Sequence, residues 1–130
     1  ATFPQLFNVM KTGEADYAVC AFENAIAGSI LPNYARLRNT NLEIFGEVYL
    51  CIEMNLMALA GQTIEQIEEI HSHPMAFLQC EEFLNERPNI QLVESKDTAS
   101  SAKEIKDYHI KHRAAIASKR AAQVFDLEII

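Results

Sequence analysis

From Leu42 to Ala58 the chain alternates. Leu42, Ile44, Val48, Leu50, Ile52, Met54, Leu56 and Ala58 share one phase, and Glu43, Glu47, Glu53 and Asn55 share the other. A two-residue period marks extended chain with one face turned toward apolar surroundings, so this stretch commits the molecule to a β-sheet. At about 3.3 Å per residue it is too long for one flat strand of a small sheet, and a bend is expected at Gly46 or near Glu53. A strand of this length could also cross between two lobes.

The rest of the chain supplies what such a sheet packs against. Phe3, Leu6, Phe7 and Met10 follow helical spacing, and Gly13 stops that helix. Asp16 to Phe22 is a nearly continuous apolar run, as in a strand buried on both faces. A helix is expected from about Ser29, with Pro32 in its first turn and Tyr34 and Leu37 on its apolar side. Thr63-Ile64-Glu65-Gln66 fits a capping box, followed by a short strand reaching His71. Pro74 opens a helix through Leu84 that ends at Arg87-Pro88. Then come a strand at Ile90–Val93, a helix capped at Asp97 or Thr98, and a strand at Ala114–Ala117. Ser118 caps a further helix, and a last strand begins at Leu127. Strands alternating with helices through short connections predict an α/β fold, its mainly parallel sheets flanked by helices on both faces.

Composition narrows the partners. A net charge of −7 argues against nucleic acid, and no apolar run approaches the roughly 20 residues of a membrane span. Cys20, Cys51 and Cys80 all sit in apolar periodic segments and read as reduced thiols of a cytoplasmic protein. No Cys-x-x-Cys or His-x-x-x-His spacing points to a metal.

Two segments could carry chemistry: Glu23-Asn24-Ala25-Ile26-Ala27-Gly28-Ser29 and Ser72-His73-Pro74-Met75-Ala76-Phe77-Leu78-Gln79-Cys80. Each follows a β-like run and opens a helix, where backbone N–H groups and short polar side chains meet ligands in α/β sheets. Glu23 and Asn24 either face a ligand or satisfy turn amides, with Gly28 allowing close backbone approach. Ser72 either binds a carboxylate at a helix start or caps that helix, with His73 beside it. Cys80 lies on an apolar stripe and reads as core. Thr98 and Ser118 add two more strand-to-helix junctions. Four such starts in one sheet can converge on a crevice for small anions.

Taken in order, several segments resemble those of prephenate dehydratases. They are Gly13-Glu14-Ala15-Asp16-Tyr17-Ala18-Val19, Glu23 to Ser29, Gly46-Glu47-Val48, Ser72-His73-Pro74 with Gln79-Cys80, Thr98-Ala99, and Ala114-Ala115-Ile116-Ala117-Ser118. The similarity runs over essentially all 130 residues. It implies a two-lobed fold of the type II periplasmic-binding-protein kind. Residues 1–45 would belong to the first lobe, 46–52 to a hinge-crossing strand, and 53–130 to the second lobe, ending at the return toward the first. The implied activity is that of a carbon–oxygen lyase. It converts prephenate to phenylpyruvate by decarboxylating dehydration, in L-phenylalanine biosynthesis, without a cofactor. A cytoplasmic homo-oligomer, dimer or higher, is implied too.

Carried over residue by residue, Glu23 and Asn24 would face the substrate from the first lobe, with Gly28 and Ser29 shaping the site. Ser72 and Gln79 would contact it from the second lobe, supported by His73 and Thr98. The general acid favoured in that family is a Thr in a Thr-Arg-Phe motif beyond the last strand begun here, and no such motif occurs in this sequence. The catalytic residue is therefore unassigned, with Glu23 and His73 as secondary candidates. The chain reads as incomplete at both ends and is expected to be weakly active or inactive alone. Ala25 and Met75 stand where the family commonly has Ser and Gln. A different class shares the fold: a non-catalytic module that binds or senses small anions.

Overall fold

A computed structural model describes residues 2–130. The first helix, α1 (Phe3–Thr12), is defined by its ends. Thr2 and Gln5 form a reciprocal capping box, and Gly13 closes the helix in the left-handed conformation at φ 73°. Phe7 is its buried residue. Glu23–Asn24 (β1) and Gly28–Ser29 (β2) then form a small antiparallel hairpin in which Glu23 lies opposite Ser29 and Asn24 opposite Gly28. The helix expected from Ser29 starts two residues later, as α2 (Leu31–Arg38), because residues 23–29 are spent on this hairpin. The side-chain amide of Asn33, fully buried in α2, donates to the Ala21 carbonyl at 2.9 Å and ties the helix to the preceding segment.

Two strand expectations are corrected here. Asp16–Phe22 has no strand structure, and of the long alternating stretch only Asn55–Ala58 (β3) is a strand. Period two tells which face a strand would bury, but a strand exists only where a neighbour supplies ladder bonds. Residues 42–54 have no ladder partner among the described residues. Val48, Tyr49 and Leu50 are accordingly 85%, 88% and 83% exposed.

The chain divides into two compact units, Ala1–Tyr49 and Leu50–Ile130. The second is built on a five-stranded sheet. Beyond β3 its strands are β4 (Glu69–Ser72), β5 (Gln91–Glu94), β6 (Arg113–Ala117) and β7 (Glu128–Ile129), in spatial order β5-β4-β6-β3-β7. β4 runs parallel to β5 and to β6, while β3 is antiparallel to both β6 and β7. Four strands thus share one direction and β3 opposes them, which makes the sheet mixed.

Helices cover both faces of that sheet, as its alternating core requires. On one face Leu56, Ala58, Ile70, Ala114 and Ile116 pack with Ala76 of α3 (Pro74–Gln79) and Leu84 of α4 (Glu81–Asn85). On the other, Met57, Ala115 and Ala117 meet Ala102 and Ile105 of α5 (Thr98–Tyr108) and Ala121 and Ala122 of α6 (Lys119–Phe125). Met57, Ile70, Ile105 and Ile116 are the largest fully buried apolar side chains. Each contributes about 1.5–3 kcal/mol relative to exposure. The single helix expected from Pro74 to Leu84 is instead two, broken at Cys80, whose φ of −112° and ψ of 17° leave the helical range. The capping box at Thr63–Gln66 forms over one short 3₁₀ turn, Ile64–Gln66. No helix among the described residues is long and apolar enough to cross a membrane.

Candidate active site

In the first unit the hairpin register decides the geometry. Opposite partners in an antiparallel pair project to the same face, so the Ser29 hydroxyl reaches Glu23 and donates to its Oε2 at 3.0 Å. The Tyr34 hydroxyl, from the first turns of α2, donates to the other carboxylate oxygen, Oε1. That carboxylate holds the Tyr34 phenol above its ordinary pKa. Asn24 faces the turn: its Oδ1 accepts from the Ile26 and Ala27 amides at 3.0 and 2.9 Å, leaving its two side-chain N–H donors available. Gly28 has φ 74°, while a Cβ there would meet nothing within 4 Å. Its requirement is backbone conformation, not space.

In the second unit the candidates gather by topology. β4, β5 and β6 are adjacent and parallel, so the starts of α3, α5 and α6 lie along one edge of the sheet. This is the edge at which open α/β sheets bind ligands. Ser72, the last residue of β4, is fully buried, and its hydroxyl donates to the Ile116 carbonyl at 2.6 Å. In this arrangement that hydroxyl ties β4 to β6. His73 accepts at Nδ1 from the Met75 amide at 3.1 Å, which places the proton of a neutral ring on Nε2. Gln79 Oε1 is buried without a hydrogen-bond partner among the described residues. Thr98, half-buried, is the first residue of α5. Asp97 caps that helix by accepting from the Ser100 amide at 2.7 Å.

The structure thus brings Glu23, Asn24, Gly28 and Ser29 together in one unit. Ser72, His73, Gln79 and Thr98 belong to the other. Two features went unread in the sequence. Tyr34 looked like an apolar-face residue, and its eleven-residue separation from Glu23 carries no local signal. Glu69 accepts from Arg113 Nε and Nη2 at 3.1 and 2.9 Å and meets His71 Nε2 at 2.9 Å. Hydrogen bonds from His71 and then Arg113 hold the Glu69 carboxyl below its usual range. The two-residue spacing of Glu69 and His71 on one strand face was the signal available.

Burial pushes the Cys20 and Cys80 thiols up, Cys20 against the opposing pull of Arg36. Neither is a ready thiolate nucleophile. Grooves of about 310 Å³ beside Phe7, Lys11 and Arg36, and of about 400 Å³ beside Ile64, Ile67 and Arg87, include none of the candidate residues.

The family model for prephenate dehydratase matches residues 1–130, the whole chain. The chain belongs to the prephenate dehydratase family. Among curated prephenate dehydratase relatives, it is 35% identical over 130 residues to the bifunctional chorismate mutase/prephenate dehydratase of Buchnera aphidicola subsp. Acyrthosiphon pisum (strain APS). It is 32% identical to the protein of that name from Escherichia coli (strain K12). The match covers all of this chain and 34% of each relative, so the chain spans about a third of their length. The arogenate dehydratase/prephenate dehydratase 2, chloroplastic, of Arabidopsis thaliana is 37% identical, covering 98% of this chain and 33% of that protein. Among solved structures, a protein described as GqqA, a novel type of quorum quenching acylase, matches with a TM-score of 0.79 and 32% identity. That match covers 99% of this chain and 47% of the other. The fold is α/β, of the type II periplasmic-binding-protein-like class of the prephenate dehydratase domain.

Proposed function

We propose that the protein carrying this chain is a prephenate dehydratase, a carbon–oxygen lyase that converts prephenate to phenylpyruvate in L-phenylalanine biosynthesis. The observation that carries the reading is the match of the prephenate dehydratase family model to all of residues 1–130. The reaction removes hydroxide and carbon dioxide from a cyclohexadienol, and the aromatic ring formed supplies the driving force, so no cofactor is called for. What the protein must do is hold two carboxylates, assist departure of the hydroxyl, and favour the decarboxylating conformer.

In this reading the Asn24 amide donates to the substrate and Glu23 accepts from it. Gly28 and Ser29 keep the hairpin in shape. On the sheet edge, His73 Nε2–H, the Gln79 amide and Thr98 at the start of α5 serve the substrate carboxylates, and Ser72 holds β4 and β6 in register beneath them. The proton donor stays unassigned, with Glu23 and His73 as secondary candidates. The protein is read as cytoplasmic and homo-oligomeric.

Formation of phenylpyruvate from prephenate by the protein carrying this chain tests the reading. Turnover is expected, and Asn24→Ala is expected to lower kcat/KM about tenfold or more. Saturable prephenate binding without turnover would replace the enzyme with a binding module of the same fold. Acyl-amide hydrolysis in place of dehydration would align the chain with the acylase it resembles.

A further inference from the structure

We propose that Tyr34 is a positioning residue for Glu23: together with Ser29 it fixes the carboxylate through both oxygens, so that Glu23 meets the substrate as an oriented acceptor and not as a proton donor. The inference rests on the reading above, in which Glu23 faces the substrate. It adds a residue with no role in that reading.

Three observations carry it. First, Ser29 Oγ donates to Oε2 and Tyr34 OH donates to Oε1. An ionised carboxylate only accepts, and each of its two oxygens here meets a hydroxyl that has a hydrogen to give. Each oxygen keeps a second lone-pair direction, open to a donor on a bound molecule, because Glu23 is exposed. Second, Tyr34 is itself held. Its ring meets Phe22 edge-on with centroids 4.9 Å apart, and the neighbouring Asn33 anchors α2 to the Ala21 carbonyl at 2.9 Å. The phenol therefore arrives at Glu23 from a fixed helix, not from a free rotor. Third, the Asn24 carbonyl oxygen is occupied by the turn amides while its amide nitrogen is not, so the two adjacent residues have separate roles. Asn24 offers donors and Glu23 offers acceptor sites. The ligand chemistry this selects is a hydroxyl that gives its hydrogen to Glu23, as that of the cyclohexadienol can. This turns the oxygen's lone pairs toward the separate proton donor that protonates it as the C–O bond breaks and water leaves.

The test uses Tyr34→Phe, Ser29→Ala, Glu23→Gln and the Tyr34→Phe/Glu23→Gln double variant of the protein carrying this chain. Tyr34→Phe is expected to lower kcat about tenfold with KM little changed, because the misplaced group acts in the reacting complex. Ser29→Ala is expected to do the same to a lesser degree. The double variant is expected to be no slower than Glu23→Gln alone, since Tyr34 acts only through Glu23. A readout independent of turnover accompanies these. In alkaline ultraviolet titration, the wild-type minus Tyr34→Phe difference should place this phenol above the ordinary value of about 10, and Glu23→Gln should bring it down. Wild-type kcat in Tyr34→Phe, multiplied losses in the double variant, or a phenol indifferent to Glu23→Gln would each overturn the proposal. Absence of prephenate turnover in the wild type would sink the dehydratase reading instead, and the phenol titration would then decide the contact by itself.

Discussion

Ser72 and Glu69 sit three residues apart on one strand and illustrate two kinds of polar contact, one buried and one at the surface. The Ser72 hydroxyl gives its hydrogen to the Ile116 carbonyl in fully buried surroundings. Ser72→Ala should cost about 1–3 kcal/mol, because the carbonyl loses a partner that water cannot replace. Urea unfolding would measure it, and an unchanged midpoint would mean the bond contributes nothing. Glu69 is partly exposed and acts through charge. Its folded carboxyl is held below the ordinary glutamate value of about 4.3, by His71 first and Arg113 second. The unfolded chain therefore takes up the proton at higher pH than the folded one. Stability from this group is complete above that value and is lost as pH falls from it through the lower folded pKa. Glu69→Gln should remove that acid component, flattening the stability curve below about pH 4.3, and equal slopes in both proteins would refute the assignment. Of the candidate site, the chain order and residue types at Glu23–Ser29 and Ser72–Gln79 were legible. That the Ser72 hydroxyl faces a neighbouring strand was not, because sheet register is a long-range property absent from local pattern.

At the scale of elements, legibility tracked the caps. Asp97 or Thr98 announced α5 and Ser118 announced α6; Asp97 and Ser118 are the caps, each accepting from an amide three residues on. Asp97→Ala should therefore destabilise the second unit by about 1 kcal/mol, within a range of roughly 0.5–2, while Asp97→Asn should retain most of that. Chemical denaturation of the pair separates capping from charge. Strands were harder to read. Ala114–Ala117 was found because both of its faces are apolar and both are covered, whereas Leu42–Met54 carried an equally clear alternation and has no strand structure. Periodicity records which side of a segment is apolar, and pairing depends on a neighbour that periodicity does not name. The break at Cys80 was invisible for a related reason. The apolar spacing from Ala76 through Leu84 continues across it, and the local dihedrals alone separate α3 from α4.

For the molecule as a whole, the α/β class followed from alternation of elements. The reversed direction of β3 did not, because alternation says nothing about how distant strands pair. That reversed strand has a consequence in time. β3 lies between β6 and β7, both of which come later in the chain, so on a translating ribosome it emerges before either of its neighbours exists. Met57 pairs with Ala115, 58 positions later (115 − 57). At about 5–20 residues per second, this leaves Leu56 and Met57 waiting roughly 3–12 s for a sheet to join. The second unit cannot assemble vectorially, strand by strand. It closes only when its last strands arrive, and during that interval the apolar residues of β3 stay unpaired and exposed to chaperones.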